Sequence, residues 1–231
     1  MGTSVIVPCR NEAGSIEILL ESIVNSISSQ DELIVIEGGS YDATWEVIKR
    51  FSTRNSQMKI SQQEGKGKFN AVLKGIKMSE SEYVMIWDAD GTVSLSDNLR
   101  ILNQTEEVSF LLTGDRLRGS REAKAMQTAN FFGNWFFGII WGIFLRRTPF
   151  DTLCGTKKFP QDLLNNAPSW LVKNDPYGDF TILAMALINK IKVISTPVEY
   201  SARKYGKTNI HRWSGGFLLL KLVIRIAVRR R

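Results

Sequence analysis

Residues 83–90 read YVMIWDAD, five apolar residues followed by two carboxylates that one alanine separates. The unbroken run Tyr83–Trp87 predicts a strand that is buried on both faces, with Asp88 and Asp90 just beyond its end. Similar runs at Thr3–Val7 and Glu32–Ile36 also lead into polar turns. This pattern predicts an α/β fold with a mostly parallel sheet that helices cover on both faces.

The segments between these runs show the apolar spacing of amphipathic helices. Helices are predicted at Ser15–Ile27, Thr44–Phe51 and Lys68–Met78, and a weaker strand at Lys59–Gln62. Parallel strands end at one edge of a sheet, and open α/β sheets bind their ligands there. We therefore expect the polar clusters at 10–12, 37–40 and 88–90 to meet at that edge.

The second half of the chain is less regular. Pro197 lies inside the run Lys192–Tyr200, which favours an edge strand because proline donates no ladder hydrogen bond. The other predicted elements are a strand at Phe110–Thr113, one or two helices within 121–145, short elements at Phe159–Asn165 and Phe180–Asn189, and a helix at Ser214–Arg231.

The net charge of +7 is unevenly distributed along the 231 residues. Residues 201–231 hold nine of the 30 Lys and Arg residues and no acid, which leaves 21 basic and 23 acidic residues in 1–200. This distribution disfavours a general nucleic-acid coat and favours a local anionic partner. An apolar fraction of 43% and a charged fraction of 23% exclude disordered and disulfide-stapled classes. Only two cysteines are present, so we expect free thiols in a reducing cytosol.

Two apolar stretches are candidates for contact with a membrane. Phe131–Leu145 is shorter than the roughly 20 residues that span a bilayer, and Phe217–Val228 contains two cations. In the predicted C-terminal helix, Lys221, Arg225 and Arg229 recur every four residues beside an apolar face. A basic amphipathic helix favours an anionic membrane surface. The alternative is a helix that packs on the core with its charges in solvent.

Asp88 and Asp90 carry the sharpest chemical signal. Carboxylate oxygens bind Mg²⁺ or Mn²⁺, and these ions also bind the oxygens of a diphosphate. The alternative is a solvated loop with two acids.

Residues 65–68, Gly-Lys-Gly-Lys, open a predicted helix, and glycine backbone at a helix N-terminus can approach an anion. The alternative there is a basic surface turn.

Two further turns carry polar groups that suit a nucleotide or a phosphate. In the turn 37–44, Glu37 could accept hydrogen bonds from a nucleobase, or Asp42 and Thr44 could only cap the next helix. Residues 203–209 place three cations around one glycine, which suits a phosphate, and the alternative is a flexible basic loop. His211 is the single histidine, so no metal site is expected to depend on it.

Together these motifs resemble the family 2 glycosyltransferases of the GT-A fold, a Rossmann-like architecture. They look most like the polyprenyl-phosphate branch that includes dolichol-phosphate mannose synthase. The resemblance covers nearly the whole chain, with the motifs in order. The matching stretches are Val5–Glu12 and Glu37–Thr44 for the nucleotide, Gly65–Gly67, Asp88–Asp90 for the metal, and Asp151–Lys157 and Arg203–Thr208 on the acceptor side.

The resemblance implies an inverting hexosyltransferase that uses Mg²⁺ or Mn²⁺ and a GDP- or UDP-linked sugar, with no nucleic-acid partner. It implies a nucleotide-sugar site formed by Pro8, Arg10, Glu12, Glu37, Gly39, Ser40, Lys66, Asp88, Ala89 and Asp90, with Asp88 and Asp90 on the metal. The acceptor phosphate would contact Arg116, Lys157, Arg203, Lys204 and Thr208.

Three features of the sequence depart from the family pattern. Arg10 stands where an aromatic residue is usual, Glu37-Gly38 replaces a pair of aspartates, and Thr92 replaces a glutamine that can assist the metal. The preferred base and the sugar therefore stay open. Many relatives also carry C-terminal transmembrane helices that this sequence lacks, so we expect peripheral attachment at the cytosolic face of a membrane. The sequence leaves open whether a membrane-anchor partner protein is needed.

The nature of the acceptor decides whether a general base is needed. Polyprenyl or dolichyl phosphate is already an anionic nucleophile and needs little help. A polysaccharide, glycolipid or protein hydroxyl would need a base, and Asp151 and Asp179 are the candidates. The catalytic candidates are thus Asp88, Asp90, Asp151, Asp179 and Arg116. A non-catalytic module that binds membrane or nucleic acid through its basic end is the alternative from another class.

We predict a GT-A domain over 1–212, with a nucleotide-sugar half at about 1–115 and an acceptor half at about 116–212. Residues 213–231 are predicted to form a basic amphipathic helix at the membrane surface.

Overall fold

The computed structural model describes residues 2–106, 108–120, 122, 128–203, 205 and 212–229. Seven strands in this part of the chain form one sheet in the order β3-β2-β1-β4-β6-β5-β7. β6 is antiparallel to β4 and β5, and the other paired strands are parallel. The strands are β1 (Thr3–Cys9), β2 (Glu32–Glu37), β3 (Lys59–Gln62), β4 (Tyr83–Ile86), β5 (Phe110–Asp115), β6 (Lys157–Pro160) and β7 (Lys192–Pro197).

Helices cover both faces of the sheet, as the apolar strands predict. Successive strand residues point to opposite faces, so Ile6 and Val5 of β1 belong to two different apolar cores. The core around Ile6 also takes residues from α3, α5, α7 and α8, and the core around Val5 takes residues from α1, α2 and α4. The helices are α1 (Ile16–Val24), α2 (Thr44–Ser52), α3 (Lys68–Met78), α4 (Leu95–Asn103), α5 (Thr128–Phe144), α6 (Ser169–Asn174), α7 (Asp179–Ile188) and α8 (Arg212–Arg229).

The sequence analysis predicted neither α4 nor α6, and it placed β6 wrongly. A short element was expected at Phe159–Asn165, but the strand covers Lys157–Pro160, followed by a 3₁₀ turn at Gln161–Leu164. The strand carries two consecutive lysines, Lys157 and Lys158, and both are buried, so it lacks an apolar run. The expectation for Pro197 is confirmed, since it ends β7 and β7 lies at the edge of the sheet.

α5 carries apolar side chains both on the face that packs on the core and on the face that is exposed. Phe137 and Trp141 are buried in the core, whereas Phe132, Trp135, Phe136 and Ile143 are exposed on the outside. The aromatic stretch is therefore partly core and partly exposed surface.

α8 packs on the body of the protein. Leu219, Leu222, Val223 and Ile226 are buried, and the helix contacts α6 and α7. The cations of the predicted stripe are exposed, as the core-packed alternative requires. A second apolar stripe is also exposed, formed by Phe217, Ile224 and Val228. Among the described residues, no helix has both the length and the apolar character to cross a membrane.

Candidate functional site

The turns that follow β1 and β2 are tied together at the carboxyl edge of the sheet. The backbone N–H of Asn11 donates to Ser40 Oγ at 2.9 Å, and the N–H of Tyr41 donates back to Asn11 Oδ1 at 2.8 Å. The N–H of Glu12 donates to Thr44 Oγ1 at 2.9 Å. The two predicted nucleotide turns thus form one unit, which holds Glu12 beside the end of β4.

Glu37 ends β2 and is almost fully buried. Its Oε1 accepts from the N–H of Ser40 at 2.5 Å, and its Oε2 accepts from Gln62 Nε2 at 2.8 Å. Gly39 has a φ of +75°, a left-handed conformation that favours glycine. At the rim, the Arg10 guanidinium lies 5.3 Å from the ring centre of Tyr41, which is 88% exposed. Tyr41 therefore offers an aromatic surface that the sequence analysis did not single out.

Asp90 is held by polar groups on both of its oxygens. Its Oδ1 accepts from the Thr92 hydroxyl at 2.8 Å and from the Thr92 N–H at 3.2 Å. Its Oδ2 accepts from Arg203 Nη2 at 2.8 Å, and Arg203 Nη1 donates to Glu12 Oε1 at 3.1 Å. Burial alone would raise the pKa of Asp90, but the charge and hydrogen bonds of Arg203 lower it below its usual value. Asp90 is therefore an ionised carboxylate at neutral pH.

Asp88 forms an ion pair with Lys68, the first residue of α3. Burial opposes the charge of Lys68, but the attraction of Asp88 outweighs it and raises the lysine pKa. A Cβ on Gly155 would meet the ends of the Asp88 and Lys68 side chains, so glycine at this position leaves the space that the pair occupies. The sequence analysis selected Lys66, which is exposed, and overlooked Lys68. The position of Lys68 at the start of a helix after Gly67 was the available signal.

The donor atoms of this edge suit a divalent cation. Within the described part of the chain, no group of three His, Cys, Asp or Glu side chains could enclose a metal ion. Asp88 and Asp90 nevertheless present partly exposed carboxylates, each paired with a cationic side chain. Mg²⁺ and Mn²⁺ often bind through one or two carboxylates and take their other ligands from phosphate and water. The pair therefore fits such an ion bound together with a diphosphate.

Asp151 is fully buried. It accepts from Arg116 Nε at 2.6 Å and Nη2 at 3.1 Å, from Asn134 Nδ2 at 2.6 Å, and from the N–H groups of Arg116 and Leu153. Burial would raise its pKa, but the Arg116 charge dominates and lowers it. This arrangement positions Arg116 and the residues around it. It leaves no oxygen of Asp151 that faces an incoming acceptor.

Asp179 begins α7 and pairs with Lys157, which also donates to the carbonyl of Cys154. Lys157 is fully buried, so its ammonium is committed to these internal partners rather than to a phosphate. The N-terminus of α7 is held by Asp175, whose oxygens accept from the N–H groups of Gly178 at 2.9 Å and Thr181 at 2.7 Å. The N–H of Phe69 donates to the carbonyl of Pro176 at 3.1 Å, which brings the segment before α7 against the start of α3, and the charge of Asp179 acts on Lys68.

The segment that carries Arg203 is anchored along the loop after β4. The N–H of Ser201 donates to the carbonyl of Thr92 at 2.8 Å, and Tyr200 forms a β-bridge with Val93. Of the remaining predicted residues, Pro8 is half-buried in β1 and Ala89 is buried between the two aspartates. Lys204 and Thr208 lie outside the described residues.

A family model described as Glycosyl transferase family 2 matches residues 4–154, more than half of the chain. The chain belongs to glycosyl transferase family 2. The matched region contains the four polar turns at the carboxyl edge of the sheet, from Glu12 to Asp90, and extends through Asp151.

Individual members of the family match over shorter regions. The chain is 36% identical over 92 residues to poly-beta-1,6-N-acetyl-D-glucosamine synthase from Staphylococcus aureus, a match that covers 40% of this chain and 22% of that protein. It is 32% identical over 90 residues to cholesterol galactosyltransferase from Borreliella burgdorferi, which covers 39% of this chain and 25% of that protein. The match thus spans about a quarter or less of each of these curated relatives.

A solved structure matches almost the whole fold. It is glucosyl-3-phosphoglycerate synthase from Mycobacterium tuberculosis in complex with Mn²⁺, UDP and phosphoglyceric acid. The TM-score is 0.68 at 18% sequence identity, over 96% of this chain and 78% of that chain. This similarity shows that the α/β architecture is that of the GT-A enzymes.

Proposed function

We propose that this family 2 protein transfers a sugar from a GDP- or UDP-linked donor to polyprenyl or dolichyl phosphate at the cytosolic face of a membrane. The observation that carries the proposal is the alternating row of charges at the strand ends. Glu12, Arg203 and Asp90 form one part of this row, and Lys68 and Asp88 form the other. Such a row offers carboxylates for a cation and cations for a diphosphate.

On this proposal, Asp88 and Asp90 would hold Mg²⁺ or Mn²⁺, as the Mn²⁺ and UDP in the M. tuberculosis complex suggest. When bound, the ion would neutralise charge on the nucleoside diphosphate that leaves the sugar. Lys68 and Arg203 would exchange their carboxylate partners for phosphate oxygens, which form strong charge-assisted hydrogen bonds. Tyr41 offers an exposed ring on which a base can stack. The buried Glu37, whose oxygens are taken up by Ser40 and Gln62, would position this turn rather than contact the base.

A lipid phosphate suits the acceptor half. Its phosphate is anionic at neutral pH, so the reaction needs no group to remove a proton. The helix α5 supports a lipidic acceptor, because Asn134 binds Asp151 on its inner side while Phe132, Trp135 and Phe136 are exposed on its outer side. Exposed aromatic side chains favour a membrane interface. The basic residues of 203–208 would then approach the lipid phosphate.

A second candidate acceptor is a hydroxyl group. Asp179 favours it, since its carboxylate lies beside the donor cluster and is partly accessible, unlike that of Asp151. The names of the two curated relatives also indicate a polysaccharide and a sterol as products or acceptors. In this case Asp179 would accept the hydroxyl proton after its pairing with Lys157 loosens.

The acceptor can be identified by following the label. The protein would be incubated with radiolabelled UDP- and GDP-sugars, Mn²⁺, and either polyprenyl phosphate or a lipid that carries only hydroxyl groups. We expect label in an organic-extractable product that mild acid releases, as expected of a glycosyl phosphate. Label only on the hydroxyl lipid would support the second candidate. No transfer from any common donor by well-folded protein would refute both.

A further inference from the structure

A groove of about 1170 Å³ opens where the ends of α5, α7 and α8 meet α6. Its walls are mainly aliphatic and aromatic, and the charged residues among the described lining are three cations, Arg146, Lys190 and Arg229, with no acid. The Arg229 guanidinium lies over the ring of Trp170, 4.5 Å from its centre. The groove thus combines an apolar floor with a cationic rim.

This groove is separate from the donor site. α7 starts at Asp179 beside the donor cluster, and Ala184 to Ile188 at its other end line the groove. At about 1.5 Å per residue, the axial distance from Asp179 to Ile188 is about 14 Å. β7 starts at Lys192, directly after the groove residues, and runs towards the donor edge. The groove therefore lies at the opposite edge of the sheet.

The chemistry of the lining narrows the class of ligand. An inorganic anion would need the cations but not the apolar floor, and an uncharged apolar chain would leave the cations without a partner. An amphiphile with an anionic head satisfies both parts. Ile188 and Val228 are at least 60% exposed on the groove itself, and Ile143 is exposed one residue before its wall begins at Phe144. An apolar surface that continues around the groove suits a ligand embedded in a bilayer.

We propose that the groove binds one anionic phospholipid of the membrane, with its phosphate on Arg146, Lys190 and Arg229 and an acyl chain against Trp170 and Leu187. The inference adds a specific lipid site to the membrane association proposed above. It does not depend on the sugar-transfer reaction. The bound lipid would fix which side of the protein faces the bilayer.

The test measures the contact of Trp170 with acyl chains. Full-length protein is mixed with phosphatidylcholine vesicles that either contain or lack phosphatidylglycerol. In both kinds of vesicle the acyl chains carry bromine, a short-range quencher of tryptophan fluorescence. Because the chain has six tryptophans, the Trp170 signal is taken as the difference between wild type and Trp170→Phe. We expect quenching of this signal with phosphatidylglycerol and little without it.

A matched pair of double variants tests the cationic rim. Arg146→Gln with Lys190→Gln removes two groove charges, and Arg54→Gln with Lys77→Gln removes two exposed charges elsewhere. At about 1 kcal/mol for each charge near an anionic surface, the groove variant should bind phosphatidylglycerol vesicles roughly 30-fold more weakly. The control variant should change the affinity less than about threefold. Equal losses in the two variants would overturn the proposal, because they would indicate a general attraction of the basic protein.

Three other results would overturn the proposed lipid site. The first is bromine quenching that is the same in Trp170→Phe as in wild type. The second is loss of the bromine quenching of Trp170 when inorganic phosphate alone is added at the same concentration as the lipid headgroup. The third is concentration-dependent dimerisation that buries Trp170 without lipid, which would make the groove an interface between copies. Sugar transfer to a short-chain acceptor without vesicles is measured in parallel, so that failure of the proposed function is recorded separately.

Discussion

The replacement Arg203→Gln should tighten the binding of Mn²⁺ to the free protein. A metal ion that binds Asp90 Oδ2 competes with Arg203, whose Nη2 donates to that oxygen at 2.8 Å. Both side chains are about three-quarters or more buried, so solvent weakens this bond little. A hydrogen bond between charged groups contributes about 1.5–3 kcal/mol. Its removal should therefore increase the affinity for Mn²⁺ alone by roughly 10- to 150-fold.

The assay is a titration of Mn²⁺ followed by electron paramagnetic resonance, in which the signal of the free aqueous ion falls as the protein binds it. Arg203→Lys retains the charge and should give an intermediate affinity. Arg50→Gln is the matched control, because Arg50 forms an exposed ion pair with Glu17 on the surface. The same titration with UDP present should reverse the order, since Arg203 then contributes to phosphate binding. An unchanged or weaker Mn²⁺ affinity in Arg203→Gln would refute the idea that Arg203 occupies the metal position.

Three further predictions concern the acids that sequence analysis selected or passed over. Asp179→Asn should reduce transfer to a hydroxyl acceptor by roughly 100- to 10,000-fold but transfer to a lipid phosphate much less, as measured by kcat for each acceptor; equal losses would exclude Asp179 as a base. Asp151→Asn should lower the free energy of unfolding by about 3–5 kcal/mol, because it leaves Arg116 buried without its counter-charge, and urea denaturation measures the change. Despite the opposing effect of burial, hydrogen bonds from Lys59 and Ser4 lower the pKa of Glu32 from 4.5 to about 2. Ionised Glu32 therefore contributes to the free energy of unfolding above pH 4.5, and this contribution is lost as the pH falls towards 2. The difference in unfolding free energy between wild type and Glu32→Gln should shrink over that range, without a parallel change in donor binding.

The first half of the fold, which we propose binds the donor, could be predicted from the sequence because its strands are buried on both faces. Such strands need continuous apolar runs, and the run Tyr83–Trp87 gave β4 to within one residue. The helix predicted at Lys68–Met78 agrees with α3 at both ends. Since parallel strands end together, the same reasoning brought Glu12, Glu37 and Asp90 to one edge.

The acceptor half was less accessible because its key contacts join residues far apart in sequence. Lys157 is a lysine in a strand, and only the fold shows that it is buried against Asp179. Asp151 resembled a catalytic acid, yet its oxygens are bound to Arg116 and Asn134 from two other segments. A spacing pattern within one segment cannot report such partners.

The C-terminal helix shows a further limit of periodicity. The stripe of Lys221, Arg225 and Arg229 predicts an amphipathic helix, and α8 is one. Periodicity does not specify what covers the apolar face, and in the fold Leu222 and Ile226 pack on the core instead of lying free. A deletion of residues 215–231 would therefore expose the core. Substitutions of single surface charges are the better test of membrane binding.

The most direct test of the donor site is isothermal titration calorimetry of UDP and GDP with wild type and with Asp90→Asn, each with Mn²⁺ and with a chelator. We predict that wild type binds at least one of the two nucleotides tightly only when Mn²⁺ is present, and that Asp90→Asn loses most of this metal-dependent gain while remaining folded. Binding that is equally tight without metal, or that Asp90→Asn leaves unchanged, would contradict the assignment of the Asp88 and Asp90 edge as a metal and nucleotide site.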